Sequence, residues 1–263
     1  MAIRRMLLTA VAGLATTLCL AQPAARRGGA PADRPGPPRP RWGLGGGLVY
    51  STPLYANDTA SFLPLPFIRY TGPRLRIMGP RAAYLLGRAG RVQVALEASP
   101  FFGGYDGGDT HVLRDMADRH ATLHAGLQMQ VRDLPGGLDL QASVRTDTLN
   151  VHGGQEAEIE LSRGFFVQRC RLAPAVGLRW RSSDMSNYYY GVRPPEVRPG
   201  RQAYNPGHTL SYLFDTRAFY RLDRHWSCML AIGIELLDQS TRNSPIIDAD
   251  AELSCILAAI RSL

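Results

Sequence analysis

Lysine is absent: all 30 basic side chains of this 263-residue chain are arginine, set against 22 acidic ones. Cysteine is scarce, limited to Cys19, Cys170, Cys228 and Cys255. Past Leu20 no apolar run approaches the roughly 18 residues a spanning helix needs; the best stretch, 228–237, is short and carries Glu235. These absences exclude a helical membrane bundle. They also exclude a disulfide framework, because Cys19 falls in an export leader and an odd number of cysteines remains. The basic excess is not organised for nucleic acid, since no arginine run is interleaved with aromatic residues. Disorder is excluded by an apolar share of 45%, which is enough to build a core. A single all-β domain fits the length.

What is present begins with an export signal. Arg4 and Arg5 precede the apolar run 6–20, and small residues at Cys19 and Ala21 place cleavage after Ala21, so 1–21 reads as a signal peptide. Residues 22–41 hold six prolines and five arginines and almost no large apolar side chain. That composition predicts an extended periplasmic linker. From Trp42 to Leu263 the pattern changes to a period of two, the mark of strands.

In 120–131, Leu123, Leu127, Met129 and Val131 alternate with His120, Thr122, His124, Gln128 and Gln130. Glu156, Glu158 and Glu160 alternate with Ala157, Ile159 and Leu161, and the same alternation runs through 138–149, 208–221 and 226–236. Twelve strands follow, at 42–51, 61–70, 74–78, 81–86, 91–102, 120–131, 138–149, 155–167, 170–181, 208–221, 226–236 and 250–261; ten result if the short third and fourth merge. Several are long enough to cross a bilayer at a barrel's tilt. Aromatic residues stand near strand ends (Trp42, Tyr50, Trp180, Tyr212, Tyr220, Trp226), as interfacial girdles do. Connections alternate between short (71–73, 87–90, 132–137, 168–169, 222–225) and long (103–119, 182–207, 237–249). Short periplasmic turns with longer external loops describe an antiparallel transmembrane β-barrel of the outer membrane.

Three segments resemble loops of the MipA/OmpV outer-membrane family. The first is 183–192, with Asp184, Tyr189, Tyr190, Gly191 and Val192. The second is 220–227, with Trp226, and the third is 238–248, with Ser244, Pro245 and Asp248. Their order and spacing match as well, and the resemblance covers 42–263. It implies an outer-membrane barrel that acts as a scaffold joining a lytic transglycosylase to a murein synthase in the periplasm. It implies no catalytic residues and no cofactor. The chain ends Ile260-Arg261-Ser262-Leu263, whereas the resemblance implies a Tyr-x-Phe ending.

Candidate chemistry fails on geometry. His120 and His124 share a strand face but lie about 13 Å apart at ~3.3 Å per residue, too far to share a metal. Asp106, Asp109 and His111 lack the spacing of a calcium loop. Ser211 and His208 point to opposite faces, so no triad forms with Asp215. The run Gly43–Gly47 precedes no helix and is no dinucleotide fingerprint. Folding the last hairpin places Cys228 opposite position 259, four residues from Cys255 and beyond disulfide reach. No catalytic, cofactor or metal site is expected.

Charge collects on the inward face instead. Arg145, Asp147, Glu156, Glu158, Glu160, Arg179, Arg181, Asp215 and Arg217 all face the lumen in this register, and the same reading adds Arg91, Glu97, Asp139, Arg221 and Glu235. Two outcomes compete: cross-strand pairs that lock a closed barrel, or charges that line a weakly selective pore. The functions that follow are a scaffold for cell-wall enzymes, then a small-solute channel, then a barrel-embedded lipid hydrolase.

Overall fold

A computed structural model describes residues 41–263. The expected signal peptide (1–21) and the expected linker up to residue 40 lie outside the described residues. The strands are β1 (Arg41–Ser51), β2 (Ser61–Thr71), β3 (Leu75–Met78), β4 (Arg81–Ala89), β5 (Val92–Phe101), β6 (Thr122–Leu134) and β7 (Leu138–Asp147), followed by β8 (Gln155–Arg163), β9 (Phe165–Val167), β10 (Cys170–Arg181), β11 (Thr209–Arg221), β12 (Trp226–Leu236) and β13 (Ala251–Ser262). Two short helices, α1 (Ser183–Tyr190) and α2 (Gln239–Arg242), lie in external loops.

The sheet runs antiparallel and closes on itself. β13 returns to β1 with Gly47 opposite Ala258, and β10 lies against both β8 and β11. β8 and β9 are two parts of one wall strand broken at Gly164, since Ser162 faces Ala175 and Phe165 faces Leu172 in an unbroken register. The wall is therefore a closed barrel of twelve strands, with the short β3 and β4 distinct. Four expected boundaries move by two or three residues, one of them the end of β6, which runs on to Leu134 rather than 131. β4 runs on to Ala89 past a bulge between Leu85 and Gly87, which leaves Gly90-Arg91 as the turn. β6 starts at Thr122 rather than 120, and β7 ends at Asp147 rather than 149.

The pleat sorts the side chains. Leu127, Val144, Val176 and Leu257 are 52%, 57%, 51% and 54% exposed, while inward Gln128 and Ser143 are buried. An apolar exterior over a polar interior is the order that lipid imposes. Trp42, Tyr212, Tyr220 and Trp226 all point outward near strand ends. At the closing seam a Cβ on Gly45 would sit 1.8 Å from the Ala259 carbonyl oxygen, so only glycine fits there. Cys228 lies opposite Ala259 and Cys255 opposite Ile232, and both are free thiols.

Candidate functional site

Three regions carry the polar chemistry: the lumen, the external mouth and the periplasmic rim. In the lumen, Arg145 on β7 meets Glu156 at 3.0 Å and Glu158 at 3.1 Å on β8, with Glu97 of β5 at 3.5 Å. Arg179 on β10 binds Glu158 at 2.9 Å and reaches Glu235 of β12. Arg181 binds Glu235 at 2.5 Å and lies 3.4 Å from Glu156. Arg217 on β11 binds Glu160. Register explains the meeting: Glu158 lies opposite Arg179 and Glu156 opposite Arg181, and the period of two sends all four side chains inward.

Burial favours cross-strand pairing of this charge. Arg145, Arg179 and Arg181 are 2%, 1% and 1% exposed, and Glu156 and Glu160 are 2% and 1%. Side chains lining a water column stay wet, whereas these are dry. Taking an ion out of water costs several kcal/mol, which only close multiple partners offset. Arg145, Arg179 and Arg181 each have two or three carboxylates for that reason.

The other inward positions behave differently. Asp147 accepts hydrogen bonds from the Thr122 hydroxyl and from the His152 and Gly153 N–H groups at 2.7 and 3.0 Å, so it closes the 148–154 turn. Asp215 is half-buried on β11, opposite Gly233, and Asp139 is half-buried near the periplasmic turn 135–137. Arg91 and Arg221 are exposed at the periplasmic end, where the strands terminate and their side chains find water. His120 is also exposed and precedes β6, while His124 is buried and meets His152 at 2.9 Å. Glu252, buried opposite Glu235, had no signal beyond its place in the last strand. Among the described residues no cluster of His, Cys, Asp or Glu fits a metal ion.

The external loops fold over the mouth. The 183–192 segment is not an open loop but helix α1, which buries Met185, Tyr189 and Tyr190. These pack with Tyr55, Tyr105, Leu113, Met116, Ile246 and Ile247 from the other long loops. Ser244 Oγ donates to the Tyr190 carbonyl at 2.6 Å, and the Tyr55 hydroxyl donates to the Tyr189 carbonyl at 3.3 Å. Arg119 grips Glu196 through two bonds of 2.8 and 3.0 Å and donates to the Tyr188 carbonyl at 2.6 Å. Burial raises the phenols of Tyr55, Tyr105 and Tyr189, and pushes Tyr190 up to about 12. Desolvation opposes ionisation of Glu196, but bonds from the Arg193 N–H and from Arg119 outweigh it and hold the carboxyl low. Gly191 and Val192 follow α1, with Val192 bridged to Tyr204. Pro245 is half-buried beside Ser244, and the Asp248 N–H donates to the Leu54 carbonyl at 3.3 Å. Asp184 lines an open external cleft of about 560 Å³ with Tyr188, Arg193 and Tyr204.

The periplasmic rim is basic. Arg74, Arg88, Arg91, Arg163, Arg169, Arg221, Arg224 and Arg261 are exposed there, against exposed Asp133 and Asp223. Asp223 is already engaged, accepting from the His225 and Trp226 N–H groups, which hold its carboxyl low. Those bonds place Trp226 of the second family-like segment on this rim, at the opposite end from the other two. All three residues of β9 are exposed. A strand within the wall hides alternate side chains, so Phe165, Phe166 and Val167 belong to a hairpin tip that clears it. The Arg163 guanidinium lies 5.1 Å from the Phe165 ring and that of Arg171 5.9 Å from Phe166. The expected strand 155–167 keeps one register to its end, and the structure adds the break at Gly164 and the exposure of its last three residues.

Comparison with known proteins adds a lineage. The family model described as MltA-interacting protein MipA matches residues 44–262. The "MltA-interacting protein" of Escherichia coli (strain K12) is 27% identical over 212 residues, covering 79% of this chain and 84% of its own. The "Putative outer membrane protein YiaT" of the same strain is 23% identical over 216 residues, 81% of this chain and 87% of its own. Among solved structures, an outer membrane channel from Pseudomonas putida F1 aligns with 90% of this chain and 100% of its own, at 11% identity and a TM-score of 0.43. The two relatives are named for an interaction and for a location, not for a reaction.

Proposed function

This chain belongs to the MipA family, and from that premise we propose that it is an outer-membrane barrel working as a scaffold, whose periplasmic rim docks a cell-wall enzyme of the lytic transglycosylase class. The observation that carries the reading is the rim itself: exposed arginines surround a protruding Phe165–Phe166 tip. Aromatic and arginine side chains dominate the energetics of protein interfaces, and a one-sign field speeds encounter with an oppositely charged partner. The relative named for its interaction with MltA supports the choice of partner class. A murein synthase is the second member of the proposed assembly, held on the same periplasmic side.

The channel reading requires a continuous water path, and the dry lumen network supports it less well. A lipid hydrolase would need a nucleophile and base in contact, and Ser211, buried on β11, and His208 in the loop before it offer no such pair.

The test is affinity capture by the tagged, detergent-extracted barrel from envelope extracts, with captured proteins identified by mass. The unaltered barrel captures a lytic transglycosylase, and less of it at high salt, because exposed charges are screened. The variant Arg163→Glu, Phe166→Ala, Arg169→Glu loses capture by about tenfold, an energy of ~1.4 kcal/mol. Equal capture by that variant moves the docking surface away from this tip, and no capture by either overturns the scaffold reading.

A further inference from the structure

Most wall strands lie against both neighbours along their length, but β2 does not. It pairs with β1 from Ser51 opposite Ser61 to Arg41 opposite Thr71. With β3 it pairs only at Arg69, Tyr70 and Thr71. β3 is four residues long and turns back into β4 at Gly79-Pro80. Beyond that turn the edge of β2 from Phe62 to Phe67 has no strand paired with it among the described residues. The next full-length strand is β5.

The residues of β2 suit a free edge. The Ile68 carbonyl accepts the Gly79 N–H at 2.8 Å, so the even-numbered residues of β2 turn their backbone polar groups toward β3. Pro64 and Pro66 share that parity. Their missing N–H groups therefore fall on the open edge, where proline costs no ladder bond. At Pro64 and Pro66 the edge offers carbonyl acceptors without N–H donors, and such an edge accepts an added strand poorly. A second copy or a partner strand is thereby disfavoured.

The flanks are apolar. Phe62, Ile68 and Leu96 face outward at 59%, 40% and 48% exposure. Inside, buried Val49 and Leu63 pack with half-buried Leu65 and Phe102, and Phe67 packs with Met78. On the periplasmic side of this patch, buried Arg81 of β4 lies within electrostatic reach of Glu97 in the arginine–glutamate network. On the external half of the wall this edge therefore stands between the bilayer and the apolar patch of Val49, Leu63, Leu65 and Phe102.

We propose that this gap is a lipid crevice: an acyl chain from an outer-leaflet lipid enters sideways between β2 and β5 and lies along Leu65 and the proline edge. The edge also selects the kind of lipid. Carbonyls left bare in hydrocarbon are costly, so the fitting chain carries N–H or O–H donors close to its carboxyl end. Amide-linked hydroxyacyl chains of the lipid A type have them, whereas ester-linked phospholipid chains do not.

A photoreactive residue placed singly at Leu65, at outward-facing Phe62 or at inward-facing Asp215 tests this in the full barrel, with heat-modifiable gel migration reporting the fold. In outer membranes the Leu65 site gives a lipid A adduct about tenfold stronger than Asp215 does, equal to ~1.4 kcal/mol of preference. In vesicles of palmitoyl-oleoyl phosphatidylethanolamine the adduct rises when lipid A is added. If the Leu65 variant does not assemble, Phe102 takes its place as the inner site. A lipid adduct confined to Phe62, an adduct as strong without lipid A, or a cross-linked dimer overturns the proposal.

Discussion

At the scale of the residue, the lumen depends on pairing rather than on charge as such. Arg179 bridges Glu158 and Glu235 across β8 and β12. Removing it strands both carboxylates in a dry interior, and breaking a buried pair in this way costs about 3–5 kcal/mol. Arg179→Ala should lower the midpoint of detergent-state thermal unfolding, whereas the exposed Arg88→Ala should leave it in place; equal midpoints for all three proteins would mean that the network adds no stability. Such partners were legible in advance because Glu156, Glu158 and Glu160 repeat every second position opposite Arg179 and Arg181. The bond between Arg119 and Glu196 was not, since it links two long loops that have no period to read.

At the scale of the element, the external cap is where pH acts. Burial holds the His152 imidazole below its ordinary value, which is near 6.5. The folded cap therefore takes up a proton less readily than the opened one. Its stability is full above about pH 6.5 and falls as the pH drops below that value. The contact with His124 adds to this, because the two facing nitrogens at 2.9 Å share a single bridging proton, and a second proton sets donor against donor. Hydrogen exchange of 148–154 should be slow at pH 7.5 and faster at pH 5 than intrinsic rates explain, and protection unchanged between the two would contradict it. The alternation that placed His124 inward could not supply its partner, since His152 sits in a turn held by Asp147. Helix α1 was hidden for a related reason: eight residues in a long loop give too little periodicity, and its tyrosines are buried by neighbouring loops, not by its own pattern.

At the scale of the whole molecule, the ends of the barrel differ in kind. The external end is an apolar plug fastened by side-chain bonds, the middle is a dry ionic lattice, and the periplasmic end is a basic rim with an exposed aromatic tip. The barrel class and its closed twelve-strand wall followed from alternation and loop lengths. The β8–β9 break and the gap beside β2 did not, because short strands and prolines read from sequence as irregularities rather than as features of an edge. The division between ends suits the proposed scaffold, whose working surface is outside its own lumen. Single-channel recording in planar bilayers tests that claim most directly. The assembled barrel should show no steady unitary conductance at moderate voltage, while Arg179→Ala combined with deletion of 184–206 should open one. Reproducible conductance from the unaltered barrel would contradict the account and make the lumen its functional site.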